Sequence, residues 1–297
     1  MKKFSFIVLH YKLIDVTIRC VDSILESCNG NIEIVIVDNA SQDGSGEYLR
    51  NYYSKNINVE IIILNKSTGF SYGNNRGYKY LCENGESDFI IECNNDLIFK
   101  QKNFLKIIER LYEVEKFDVL GPDIRNIDGV HQSPLMLKGR SADEILSYIN
   151  YCTSILKNAK YIALKKRISK RFNKLYSLYK KIFKSTDRID YSCDYNDVVL
   201  CGACMIFSKK YIDSHELLFN PEVSFYHEEE ILLYELKKCN GKIIYRPQLY
   251  VVHDHSRATN VVNNTELEHT IFEMKNAISS AKTLYSIVKD YEKNYGK

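Results

Sequence analysis

Within the first 121 residues, short apolar runs alternate with segments whose apolar residues recur every three or four positions. Phe4 to Leu9, Glu33 to Val37, Val59 to Leu64, Asp88 to Cys93 and Phe117 to Gly121 read as short buried strands. Between them, Asp15 to Ser27, Gly46 to Tyr53, Ser71 to Asn84 and Phe104 to Glu115 read as helices. Strand and helix in strict alternation predict an α/β fold, Rossmann-like, with a mostly parallel central sheet covered by helices on both faces. Sheets of this kind take their ligands at the carboxyl ends of the strands, so polar residues at those ends are the first candidates for a site.

The most informative such end is Asn94-Asn95-Asp96, which closes the apolar run Asp88 to Cys93. A lone carboxylate there is placed to hold a metal-bound phosphate; the plain alternative is a cap for a following helix. The run Glu33 to Val37 ends in Asp38-Asn39-Ala40-Ser41, where Asp38 could accept a hydrogen bond from a base or ribose, or could shape a turn with Ser41. Between the two lies Asn65 to Gly77, glycine-bearing and helix-leading, whose backbone amides would attract phosphate. It lacks the Gly-Lys-Ser/Thr of a P-loop, and no G-x-G-x-x-G follows the first strand, which removes the main support for ATPase and dinucleotide-dehydrogenase readings. Far downstream, Glu228-Glu229-Glu230 opens a helix-like run, and Tyr250 to His253 reads as a strand ending in histidine. Acids at a helix start can be there for the helix dipole alone. Consecutive helical residues point about 100° apart, so the three glutamates cannot all face one cleft.

These pieces, in this order and over residues 4 to 255, resemble a family 2 glycosyltransferase of the GT-A fold, in the bacterial rhamnosyltransferase-like branch. The resemblance is carried by the first strand with His10-Tyr11, by Val37 to Ser41, by Gly69-Phe70 with Asn74-Asn75, by Asn94-Asn95-Asp96, by Gly202-Ala203-Cys204-Met205 and by the glutamate cluster. It implies an inverting transfer of a sugar from a UDP-, dTDP- or GDP-sugar to a hydroxyl of a growing surface glycan or lipid-linked saccharide. The donor would meet His10, Tyr11, Asp38, Asn39, Gly69, Asn74, Asn75, Asn94, Asn95 and Asp96, with Gly202 and Ala203 on the acceptor side. Asp96, with His253 as a second ligand, would hold Mg²⁺ or Mn²⁺. In the resembled family two adjacent acids precede a glycine at a fixed distance and the second is the base. Counting back from Gly241 makes Glu230 the first choice and Glu229 the second. A sugar-phosphate nucleotidylyltransferase would show a glycine-rich, Arg-containing loop after the first strand, where this chain has His10-Tyr11-Lys12-Leu13. An inactive membrane-associated adaptor on the same scaffold is the non-enzymatic alternative.

With 297 residues, 45% of them hydrophobic, and no linker-like stretch or internal repeat, one domain is expected over residues 1–297. Its parts would be a donor-binding part, 1–125, an acceptor-side part, 126–255, with a basic helical insertion near 140–190, and a C-terminal helical extension, 256–297. The apolar run after Lys2-Lys3 is too short for a signal peptide and no run reaches the roughly 18 residues of a membrane span. The nine cysteines show no disulfide spacing, and Cys201-x-x-Cys204 sits in an apolar run without partners for a zinc set. A cytoplasmic protein follows from these readings, with the thiols packed. Residues 153–186 hold eleven Lys and Arg and no acid; with the whole chain at +3, subtraction leaves about −8 elsewhere. Tyr161, Leu164, Ile168, Phe172, Leu175, Tyr179 and Ile182 add an apolar stripe, so the segment is expected to lie on an anionic membrane surface at the inner face of the cell membrane. Aromatic RNA-binding motifs are absent, and nucleic acid is not an expected partner.

Overall fold

The computed structural model of the chain describes residues 1–66, 69–158, 188–254 and 266–296. In chain order the elements are β1 (Lys3–His10), α1 (Ile14–Ser27), β2 (Asn31–Asp38), α2 (Ser45–Tyr52), β3 (Val59–Ile63), α3 (Phe70–Asn84), β4 (Phe89–Asn94) and β5 (Leu97–Ile98). They continue with α4 (Phe104–Glu115), β6 (Val119–Asn126), α5 (Ala142–Lys157), β7 (Tyr195–Asn196) and β8 (Cys204–Ser208). The last are α6 (Lys209–Ile212), α7 (Glu228–Lys238), β9 (Ile243–His253) and α8 (Glu266–Asn294). Most of the basic segment 153–186 lies outside the described residues. No described helix is long and apolar enough to cross a membrane.

The nine described strands form one sheet in the order β3-β2-β1-β4-β8-β6-β9-β5, with β7 on β9. β1, β2, β3 and β4 are mutually parallel, β8 runs against β4 and β6, and β9 returns parallel to β6. The sheet is therefore mostly parallel in direction, as the alternation of the first 121 residues predicts, with β8 as an antiparallel seam in its middle. Strand β6 runs past the expected stop at Gly121, because Pro122 is absorbed by a register shift before Asp123. Its polar second half, Asp123 to Asn126, hides it from a reading based on apolar runs.

One face of the sheet packs under α1, α2 and α4 through residues such as Phe6, Ile24, Leu49, Phe104 and Ile108. The other packs under α3, α6 and α7 through Ile7, Val37, Tyr78, Phe207 and Leu233. Burial on both faces is why β1, β2 and β4 are almost continuously apolar. Helix α8 lies on α5 and α7 around Ile145, Ile231, Ala281 and Leu284, which docks the C-terminal segment onto the helix that starts with the glutamates. The start of α5 is fixed by a capping box between Ser141 and Glu144.

Helix α3 lies close to the sheet because Gly73 and Gly77 face it. A Cβ at Gly77 would stand 2.7 Å from Ile7 Cγ2 and 3.0 Å from Val37 Cγ2. Gly77→Val is expected to destabilise the fold by about 1–3 kcal/mol, the usual cost of overpacking. Urea denaturation checks this: the midpoint should fall with the slope unchanged.

Candidate active site

The parallel register sets the floor of the site. His10 pairs with Asp38, and Leu9 with Asn94, so the ends of β1, β2 and β4 are level along one edge. After Asn94 the chain turns through Asn95 and Asp96 directly into β5, so Asp96 does not cap a helix. The Asp96 carboxylate is buried, and its Oδ1 stands 2.9 Å from Nε2 of His253 at the end of β9. Nδ1 of His253 is 2.8 Å from Oε1 of Gln132, and the Asp96 carbonyl accepts the Asp254 N–H at 2.8 Å. Two residues 157 positions apart are thus brought to one point by β5 pairing with β9. Among the described residues no group of three or more His, Cys, Asp or Glu side chains is arranged to hold a metal.

Beside this pair opens a cleft of about 500 Å³, walled by Asn94, Arg140, Gly202, Ala203, Glu229 and His253 among others. The chain enters α7 through Tyr226 and His227, both at φ 69°, a left-handed conformation that is unusual for such residues and sets the direction in which the glutamates leave the backbone. Each glutamate then meets a different environment. Glu230 is 1% exposed and its carboxylate is taken by Arg140: the backbone N–H donates to Oε1 at 2.6 Å, Nε to Oε2 at 3.0 Å and a terminal nitrogen to Oε2 at 2.5 Å. The same guanidinium lies 2.9 Å from Nδ1 of His227, a buried histidine held down at about 3 by its burial and by Arg140, and so neutral. Glu229 reaches the cleft wall instead, where its Oε1 accepts the Gly202 N–H at 3.0 Å. A Cβ at position 202 would come within 2.6 Å of that oxygen, so glycine is required for the contact. Burial raises the Glu229 carboxyl above its ordinary value, with the Glu230 charge adding to it.

The third acid, Glu228, also lines the cleft and is 4% exposed. Burial, and then the neighbouring Glu229, push it up to about 8. Glu92, a fully buried carboxyl in the middle of apolar β4, is raised well above the carboxylate range by burial, with Glu229 and then Glu228 adding to it. Glu92 Oε1 accepts from Asn74 Nδ2 at 3.4 Å, while Glu92 Oε2, Glu228 Oε1 and Asn74 Oδ1 have no hydrogen-bond partner among the described residues. Burial and the two nearby acids favour the protonated form of Glu92.

The residues expected to meet a donor separate into two groups. Tyr11 is exposed on the rim. Asn39 donates to the Gly69 carbonyl at 3.2 Å with its own Oδ1 unpartnered, and Asn94 lines the cleft. Gly69, at φ 112°, lets the loop press on Ser224, whose carbonyl a Cβ there would meet at 2.1 Å. Asn74 is fully buried under the cleft, against Glu92. Ala203 ties the cleft wall to β4 by accepting the Asn94 N–H at 2.9 Å. Others are occupied by the protein itself. His10 is fully buried, with Nδ1 2.6 Å from Thr17 Oγ1 and Nε2 2.9 Å from Ser45 Oγ. Thr17 donates to the Leu13 carbonyl and accepts from Asn95, so His10 donates through Nδ1 and accepts through Nε2; burial lowers its basicity and keeps it neutral. Asn75 spends its whole amide on the backbone of Leu218 and Phe219. Asp38 performs the turn role, with Oδ1 accepting from both N–H and Oγ of Ser41. His10 and Asn75 thus brace the strand ends and the loop at residues 218–219, and Glu230, the first choice for a base, is held by Arg140. Arg140, Gln132 and Glu92 were not singled out from sequence. Glu92 had a signal, a charged residue inside an apolar strand; Arg140 and Gln132 had none.

Cys204 is buried in β8, and Cys201 is raised to about 12 by burial, which leaves it a thiol.

The family model described as "Glycosyl transferase family 2" matches residues 5–215. The fold is similar to that of residues 1–349 of S. aureus TarS, at a TM-score of 0.53 and 14% identity, covering 99% of this chain and 72% of that one. The same portion of S. aureus TarS in complex with UDP gives the same values. Against the longer S. aureus TarS structure the TM-score is 0.54 and the identity 15%, with 99% of this chain and 44% of that one covered. No curated protein matches the chain.

The environment of Glu228 has a consequence for stability. Its carboxyl sits at about 8 in the folded chain against an ordinary 4.5, so between those values the unfolded chain loses a proton that the folded chain keeps. Stability from this group is complete below pH 4.5 and declines as pH rises towards 8, by an amount on the order of a few kcal/mol. Glu228→Gln should remove that decline. Chemical denaturation at pH 5 and pH 8 should show the variant gaining on the parent at the higher pH.

Proposed function

The chain belongs to glycosyl transferase family 2, and from that premise we propose that it transfers a sugar with inversion from a nucleotide-sugar to a hydroxyl of a growing bacterial surface glycan, with Glu229 as the base. The observation that carries the reading is the sorting of the three glutamates: all three stand on the cleft wall, and Glu229, the least buried of them, has a raised carboxyl oriented by the Gly202 N–H. A base must be free to take a proton, and Glu230 is committed to Arg140.

In the displacement, the acceptor oxygen forms a bond to the anomeric carbon as the bond from that carbon to the nucleoside diphosphate breaks. The hydroxyl proton passes to the Glu229 carboxylate, and the diphosphate leaves with the electron pair. Gly202 holds the carboxylate in place, and Arg140 with Glu230 fixes the start of α7 beneath it. Asp38, Asn39 and the Gly69 loop form the donor side at the β2 end, in keeping with the UDP complex known for S. aureus TarS. UDP-, dTDP- and GDP-sugars remain the donor classes to compare, and a glycan or lipid-linked saccharide the acceptor.

Asp96 and His253 fit a divalent cation, Mg²⁺ or Mn²⁺. Asp96 would offer its carboxylate and His253 its imidazole, which the fold brings together at the end of β9. When bound, the ion supplies positive charge to the departing diphosphate. Water and diphosphate oxygens would supply the remaining ligands, since ions of this class keep few protein ligands.

The test is nucleoside diphosphate release from a panel of donors, with Mg²⁺, with Mn²⁺ and with chelator. Glu229→Gln should slow the chemical step by about 10²- to 10⁴-fold with donor affinity retained, and Asp96→Asn should abolish the response to metal. A folded Glu229→Gln variant of normal rate, beside an inactive and folded Glu230→Gln variant, would reverse the assignment.

The basic run 153–186 supports a place on the inner face of the cell membrane. Salt-sensitive co-sedimentation with anionic vesicles is expected, and its loss when Lys165, Lys166, Arg167, Lys170 and Arg171 are changed to Gln. Equal binding by both proteins would count against it.

A further inference from the structure

Across the β6 hairpin from the cleft is a second cavity, of about 1030 Å³, walled by Arg125, His131, Arg188, Tyr191 and Pro247 among others. It shares no wall residue with the cleft. Its polar side chains are held from below. Asp123, just past the register shift in β6, is completely buried, and each of its oxygens holds one wall residue. Oδ2 accepts from Arg125 Nε at 2.5 Å, and Oδ1 is 2.7 Å from His131 Nδ1. Burying a carboxylate is costly unless it is paired. Here the pairing fixes the direction of two side chains that line a cavity. His131 in turn lies flat against Tyr191, with ring centroids 4.7 Å apart and planes within 5°.

Two cations of this wall keep hydrogen-bond donors to spare. Arg125 spends Nε on Asp123, but its two terminal nitrogens make no hydrogen bond among the described residues, and the side chain is 44% exposed. Arg188 makes no hydrogen bond or ion pair among the described residues and is exposed. The acids of the wall are engaged: Asp190 accepts from the N–H and hydroxyl of Ser192, and Asp194 lies 3.6 Å from Arg246. The terminal nitrogens of Arg125, whose guanidinium also lies over the Tyr250 ring, and the guanidinium of Arg188 beside an aromatic pair suit an oxyanion carried on a ring with an apolar face.

The connection to the cleft is a single peptide. After β6 the chain folds back so that Arg125 and His131 form an antiparallel bridge, and the Gln132 N–H donates to the Ile124 carbonyl at 2.8 Å. Consecutive residues of an extended chain face opposite sides. His131 therefore serves the second cavity, while Gln132 touches His253 in the cleft.

We infer that this cavity binds a phosphate- or carboxylate-bearing sugar unit of the acceptor, remote from the reacting hydroxyl. The word acceptor rests on the sugar-transfer reading of the cleft; the binding of an anionic sugar does not.

The test uses the full chain and follows the backbone amides of Ile189 to Asp194 by NMR during titration with glucose 1-phosphate, glucuronate, glucose and inorganic phosphate. One or both anionic sugars should shift these amides at concentrations where glucose and phosphate do not, and the stronger of the two identifies the oxyanion. Arg188→Gln should weaken that binding about tenfold or more, the scale of a charge-assisted hydrogen bond, and leave donor hydrolysis without acceptor unchanged. Arg125→Gln should do the same if it folds; since it strips a partner from buried Asp123, the exposed Arg188 variant decides. No shift with either anionic sugar, equal shifts with phosphate alone, or shifts that survive Arg188→Gln overturn the proposal. Binding that persists in a chain that turns over no donor overturns only its link to the acceptor.

Discussion

The cleft depends on the in-register parallel pairing of β1 with β2 on one side and β4 on the other. That pairing brings His10, Asp38 and Asn94 to one level, and it is stable because both faces of these strands are covered by helices and filled with Ile, Val and Phe. A slip of one residue would turn the polar ends into the core. The braces at the edge, His10 to Thr17 and Ser45, and Thr17 to Asn95, link three loops that the strands have already aligned. Polar groups with no free capacity can still be decisive for a site, because they limit where its free groups stand.

The Arg140–Glu230 pair is the second constraint. Three adjacent glutamates at a helix start are equivalent in one dimension, and in space they become three different groups: a carboxylate paired with Arg140, a carboxyl held by the Gly202 N–H, and a buried acid near Glu92. The positive end of α7 favours all three acids, so the helix alone does not distinguish them. The distinction comes from what each meets: Arg140 from the segment before α5, Gly202 from the turn before β8, and Glu92 from β4. Helix α8 packs on both α5 and α7 and so bears on the same arrangement.

The β6 hairpin ties the two cavities together. Its bulge at Pro122/Asp123 sends a carboxylate into the interior, and that carboxylate sets Arg125 and His131 on one side while the next residue, Gln132, serves the other. A polar strand of this kind is weakly marked in a sequence, since its residues follow neither an apolar run nor a clean alternation.

The sequence by itself determined the α/β class, the first seven elements to within a residue or two, and the polar character of the strand ends, because these rest on local periodicity and on the rule that ligands meet parallel sheets at their carboxyl edge. It also carried Asp96, His253 and the glutamate cluster as candidates. Only the tertiary structure decided which of them are free. Glu230 and Asn75 are saturated by partners 90 and 144 positions away, and Gly202 reaches Glu229 across 27 residues. A residue's chemistry depends on which lone pairs and protons are left over after folding, and long-range partners set that remainder without leaving a trace in local pattern.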